Sequence, residues 1–204
     1  NLAQAARARG DAKTARKMVR NALKQNGKNP DAYAVLARIY FDMGRFELSK
    51  LVCQSGLELS TKSPRLHNTL GLIYLREDDQ RRAIRAFASA IKADKSFVPS
   101  KLNLGALALS YKDFKLAYAQ FKRAVELDPN NEMALLSYGV SARSLGKLVE
   151  AESLYRKVLK INPKNIGALY NRAVLEGDYK KNYAASLELL NQVMRLVTQD
   201  AVFR

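Results

Sequence analysis

The chain has 204 residues, 48% of them hydrophobic, and a formal net charge of +16. That is enough chain for one sizeable domain or one repeat array. A lone cysteine, Cys53, excludes an internal disulfide framework, and no apolar run reaches the ~20 residues that a membrane-crossing helix needs.

Few Gly and Pro among many Ala, Leu, Lys and Arg favour helix throughout, and the elements read as paired helices in chain order. Residues 1–29 form a partial unit: a first helix up to Gly10, then a second carrying Ala15, Val19 and Ala22. The unit begins inside its first helix, so the sequence reads as a piece of a longer array. Residues 30–63 place Leu36 and Ala37 on the first helix, Gly44 at the turn, and Ser49, Cys53 and Gly56 on the second. Residues 64–97 repeat this with Leu70, Gly71, Ala83, Phe87 and Ala90, and residues 98–131 with Leu104, Gly105, Ala117, Phe121 and Ala124. Residues 132–165 carry Tyr138, Gly139, Gly146, Ala151, Tyr155 and Val158. Residues 166–200 are irregular. They have Arg172 and Glu176 at apolar positions, one extra residue near Lys180-Lys181, and then Ser186, Leu190 and Val193; residues 201–204 are a short tail.

Five columns therefore stay in phase at a spacing of 34 residues, as Ala3, Ala37, Gly71, Gly105, Gly139 and Ala173 show. Ala and Gly columns let two helices approach closely, and the aromatic and Leu columns fill the space beside them. Gly10, Gly44 and Gly146 suit helix C-termini. Pro129 and Pro163 end one helix pair and start the next. No unit can bury its own apolar face, so residues 1–204 read as a single cooperative array.

This pattern resembles the tetratricopeptide repeat family, with Leu104-Gly105, Phe114, Ala117, Phe121, Ala124 and Pro129 matching almost position by position. The resemblance implies an all-α, right-handed superhelical solenoid of helix-turn-helix repeats. It also implies a scaffold that holds other proteins and is not an enzyme. No catalytic constellation, phosphate loop or metal pattern stands against this, and no cofactor is expected. His67 and Cys53 fall in packing columns, and the acidic pairs Asp78-Asp79 and Glu150/Glu152 fall at turns, where solvation is the expectation.

In the family, the first helix of each unit lines the concave face. The phase then assigns a partner-binding groove to Arg38, Phe41, Asn68, Leu72, Leu75, Leu102, Asn103, Leu109, Leu136, Val140, Arg143, Tyr170, Asn171 and Val174. Its middle is apolar, which suits a protein or peptide partner presenting an amphipathic or apolar segment. The alternative occupant is the tail at Val202-Phe203 or a segment outside the sequence. The Lys, Asn and Arg set with which some relatives grip a chain-terminal carboxylate is incomplete, because its phases hold Ala34, Arg38 and Thr69, or Asn68, Leu72 and Asn103. The charge is uneven, since residues 1–28 hold eight basic side chains against Asp11 alone. Arg7, Arg9, Lys13, Arg16, Lys17, Arg20, Arg81, Arg82 and Arg85 are assigned to a basic outer surface. That surface leaves an anionic polymer or membrane as a second partner class, with nucleic acid disfavoured for want of a motif. The units broadly resemble bacterial repeat proteins of pilus or gliding-motility assembly, which implies the periplasm or outer membrane, with the cytoplasm as the alternative. A rival reading makes the array the docking arm of an enzyme.

Overall fold

In the computed structural model, which describes residues 2–202, the chain is all-α, with no strand among the described residues. It divides into two compact units after Ser100. Unit 1 holds α1 (Leu2–Ala8), α2 (Ala12–Gln25), α3 (Pro30–Asp42), α4 (Phe46–Leu59), α5 (Pro64–Arg76) and α6 (Gln80–Ala93). Helix α7 (Val98–Ser110) begins at its end. Unit 2 continues with α8 (Phe114–Leu127), α9 (Glu132–Ser144), α10 (Leu148–Ile161), α11 (Ile166–Val174), the π-helical turn Leu175–Tyr179 and α12 (Tyr183–Val202). Within the units α1 packs on α2, α3 on α4, α5 on α6, α9 on α10 and α11 on α12, the helix-turn-helix architecture of an all-α solenoid.

Local chemistry sets the helix boundaries. Asn29, Ser63, Asn131 and Asn165 each accept a backbone N–H from the first turn that follows. Asp11, Asp79 and Asp113 do the same for α2, α6 and α8, while Arg45 and Lys147 stand at the equivalent positions of α4 and α10 and make no side-chain cap. The turn inside each pair needs one left-handed residue. Gly10, Gly44 and Gly146 supply it, but Asp78, Lys112 and Lys181 also adopt it, at φ of 56°, 58° and 58°. No glycine marks those three turns in the sequence.

The columns are built as opposed pairs. A Cβ on Gly71 would lie 2.4 Å from the Phe87 ring, one on Gly105 2.8 Å from Phe121, and one on Gly139 2.5 Å from Tyr155. Where the column holds Ala37, the opposing residue is the smaller Cys53, fully buried in the same cluster. Two serines occupy the otherwise alanine column without leaving an unpaired hydroxyl: Ser49 donates to the Ala37 carbonyl at 2.6 Å and Ser186 to that of Ala173 at 2.9 Å.

The last helix pair departs from the expected packing at one position. Its extra residue is taken up by the π-helical turn, and α12 buries Leu189 against Leu169 and Ala173. Leu190, placed in the packing column by sequence, is 37% exposed. Ser186 and Val193 keep their expected positions, and the neighbouring Leu189 is the leucine that is buried. Glu176 is buried on the π turn and accepts from Lys180 at 3.0 Å, which satisfies the carboxylate in an apolar position. Phe203 of the tail, and the side chain of Val202, lie outside the described residues.

Candidate partner-binding surface

In unit 1 the first helices of successive pairs build an open cleft of about 590 Å³. Ala5 and Arg7 come from α1, Ala34, Val35 and Arg38 from α3, and Arg65, Asn68 and Thr69 from α5; Phe97 and Pro99 close it where α7 begins. Ala34 and Val35 of α3 and Asn68 and Thr69 of α5 are related by 34 residues, so the same face of these two helices meets the cleft. Asp42 receives the guanidinium of Arg7 and, at 2.9 Å, Nε of Arg38. Arg38 also lies 5.4 Å from the centroid of Phe41, and Phe41 meets Phe46 edge-on with centroids 5.3 Å apart. Buried Asn68 accepts from Ser100 Oγ at 2.9 Å.

Of the groove residues assigned by sequence to this unit, Arg38 and Asn68 line the cleft. Phe41, Leu72 and Leu75 are half-buried and do not line it, and Phe41 packs onto the core around Leu66 and Ile73. Arg7 was grouped with the outer basic residues on its charge, yet it lines the cleft. It shares the phase of Phe41 and Leu75, neither of which lines the cleft, so the period alone does not place it there.

In unit 2 the assigned residues are distributed along α7, α9 and α11. Leu102 and Leu109 pack on the cluster of Ala108, Phe121 and Tyr138, and Leu136 and Val140 on that of Ala142, Tyr155 and Leu175. Leu136 also fills the space over Gly167. Arg143 donates to Asn171 at 3.3 Å, and Asn171 in turn donates to the Gly167 carbonyl at 2.8 Å. Tyr170 is 52% exposed, while Asn103 and Val174 are half-buried. Sequence reasoning missed the polar network beside them: Tyr118 and Tyr138 both donate to Glu150, and Lys147 sits 3.9 Å above the Tyr118 ring. Burial, then the bond to Glu150, pushes the Tyr138 hydroxyl's pKa well up. Its signal was a tyrosine in a column that is otherwise leucine through Leu104. Glu150 is therefore engaged rather than simply solvated, as is Glu152, which pairs with Lys180 at 2.8 Å and Arg156 at 2.6 Å.

On α2, Lys13, Arg16, Lys17, Arg20 and Lys24 surround a shallow basic concavity with Thr14 and Asn21. Arg9 is exposed beside the turn after α1. On α6, Arg81, Arg82 and Arg85 are exposed, and Arg82 bonds Asp79 at 2.6 Å. Among the described residues no three His, Cys, Asp or Glu side chains gather where a metal could sit, and no helix is long and apolar enough to cross a membrane. Burial pushes the Cys53 thiol up to about 12, so it is protonated at neutral pH. His67 Nε2 donates to the Thr61 carbonyl at 2.8 Å.

Two family models, both described as tetratricopeptide repeat, match residues 6–73 and residues 68–132 and 102–166. No curated protein matches the chain. Among solved structures, YrrB, described as having an unusual peptide-binding site, is 25% identical over 87% of this chain and 91% of its own, with a TM-score of 0.74. PilW, described as a type IV pilus biogenesis factor, is 22% identical over 95% and 90%, with a TM-score of 0.76. PilF of Pseudomonas aeruginosa is 20% identical over 81% and 75%, with a TM-score of 0.71. Below 25% identity, such likeness establishes the fold alone.

Proposed function

The chain belongs to the tetratricopeptide repeat family and is a protein–protein interaction scaffold, and we propose that it acts without catalysis, holding a partner segment on the faces formed by its first helices. The observation that carries this reading is the unit 1 cleft, open to solvent and lined from α1, α3, α5 and the start of α7. A cleft of this size takes a few residues of an extended chain or one face of a helix. The peptide site ascribed to YrrB supports a peptide over a folded domain as occupant. The segment belongs to a larger assembly, for which a bacterial pilus or gliding machine is the narrower candidate. The test is a displayed peptide library selected on the protein, with the recovered sequences titrated calorimetrically. Val35→Trp, which fills the cleft, abolishes binding and leaves helical circular dichroism intact; unchanged affinity rejects the first-helix surface.

A second reading rests on the basic concavity of α2, whose lining contains no acidic side chain. It favours an anionic polymer or membrane surface as an additional partner. Flotation with vesicles containing phosphatidylserine separates the two readings, since Lys17→Glu with Arg20→Glu abolishes that binding and spares the peptide. A docking arm of an enzyme is the remaining alternative, and sequence flanking the array decides it.

A further inference from the structure

Within that binding reading, we propose that the unit 1 cleft selects an acidic, extended partner segment through its side-chain carboxylates rather than its chain terminus. Arg7, Arg38 and Arg65 enter the cleft from α1, α3 and α5, three first helices in succession, and its lining contains no acidic side chain. The nearest counter-charge is Asp42, which two of the three guanidiniums share. A guanidinium carries five N–H donors. Arg38 spends Nε on Asp42 and keeps its terminal nitrogens, and the exposed Arg65 contributes its whole fork. The excess is not confined to the cleft, because residues 1–100 hold nineteen Lys and Arg against nine Asp and Glu. Approach of an acidic chain is therefore favoured at long range as well as on contact.

Spacing decides which acidic ligand fits. Arg7 and Arg38 meet at Asp42 while Arg65 enters from the next first helix, and packed helices lie about 8–10 Å apart, so the cleft offers two separated basic points rather than one. An extended chain advances about 3.3 Å per residue, so carboxylates two or three residues apart span about 7–10 Å and meet successive arginines. A single terminal carboxylate reaches the Arg7–Arg38 pair or Arg65, not both. Between the arginines the wall is Ala34, Val35 and Pro99, small enough to admit a peptide backbone. Asp42 holds Arg7 and Arg38 in place until a partner carboxylate competes for them.

The test uses fluorescence anisotropy on the full chain with a fluorescein-labelled, C-terminally amidated decapeptide bearing Glu at every second position among Ala, Val and Pro. The Glu peptide binds, the matched Gln and Lys peptides bind at least tenfold more weakly, and a free C-terminus changes nothing. Arg38→Gln and Arg65→Gln each weaken binding about tenfold or more, as loss of charge-assisted bonds does. Arg85→Gln on α6 has no effect, and Asp42→Asn tightens binding by freeing its two arginines. Circular dichroism confirms that each variant is folded. Equal affinity for Glu and Gln peptides, no binding of any probe, or wild-type affinity in both arginine variants overturns the proposal. So does displacement by a single-stranded oligonucleotide at equal charge concentration, which marks a general polyanion surface. If Glu and Gln peptides bind equally and Val35→Trp abolishes both, acid selection fails while the first-helix binding reading stands.

Discussion

Gly71→Ala tests the principle on which the whole array is packed. A methyl group at Gly71 meets Phe87 Cε1 at 2.4 Å, Cδ1 at 2.6 Å and Cζ at 2.8 Å, and the ring is fully buried. Ordinary carbon contacts lie near 3.5–4.0 Å, so the ring or a helix must retreat by about 1 Å. Overpacking of this kind costs about 1–3 kcal/mol. Alanine's better helix propensity returns about 0.5–1 kcal/mol, which leaves a net loss of about 1–2 kcal/mol. Phe87→Cys alone removes most of a buried ring and costs about 3–4 kcal/mol. The double variant reproduces the pair Ala37 and Cys53 of the preceding helix pair, in which both are fully buried. The added methyl then occupies part of the vacated space, so the double variant is more stable than the sum of the singles by about 1–3 kcal/mol. Urea unfolding followed by circular dichroism reads all four proteins, with comparable m-values required for the comparison. A Gly71→Ala midpoint at or above wild type, or strict additivity in the cycle, refutes the opposed-pair account.

Two further outcomes follow from the turns and the last helix pair. Lys112 sits at φ 58°, where a side chain costs about 1–2 kcal/mol, so Lys112→Gly stabilises unit 2 by about 1 kcal/mol after glycine's own entropy is counted; an unchanged or lower urea midpoint contradicts this. The hydrogen bond from Lys180, opposed by burial and assisted by the charges of Lys180 and Arg156, holds the Glu152 carboxyl below its ordinary 4.5. A depressed folded-state pKa gives stability that is present above 4.5 and lost as pH falls through the lowered value. Thermal unfolding between pH 7 and pH 3 therefore shows a shallower acid loss in Glu152→Gln than in wild type, and parallel curves count against the pairing.

Much of the repeat was legible because it is written in residue size at fixed spacing. In three helix pairs a glycine on the first helix meets an aromatic ring on the second, so Gly71 with Phe87, Gly105 with Phe121 and Gly139 with Tyr155 can be matched from phase alone. The candidate surface was less legible. Phase places Arg38 and Asn68 on the first helices, but it does not say whether Leu102, Leu136 or Val140 is spent on packing; each leans on a core cluster. Nor does it say that Arg7 turns into the cleft, because its neighbours in sequence are basic and its partner Asp42 lies 35 residues away.

The sequence by itself determined the helices, their pairing and the steric complementarity inside each pair, because these depend on size and period within about one repeat. The tertiary structure decided which side chains on different helices actually meet. It brought Arg7, Asp42 and Arg38 together, joined Tyr118 and Tyr138 on Glu150, and chose Leu189 over Leu190 after a π turn absorbed one residue. The physical reason is that side-chain direction accumulates small rotations from helix to helix. Periodicity names the face of a helix, whereas only the packed neighbours say which polar groups on that face converge.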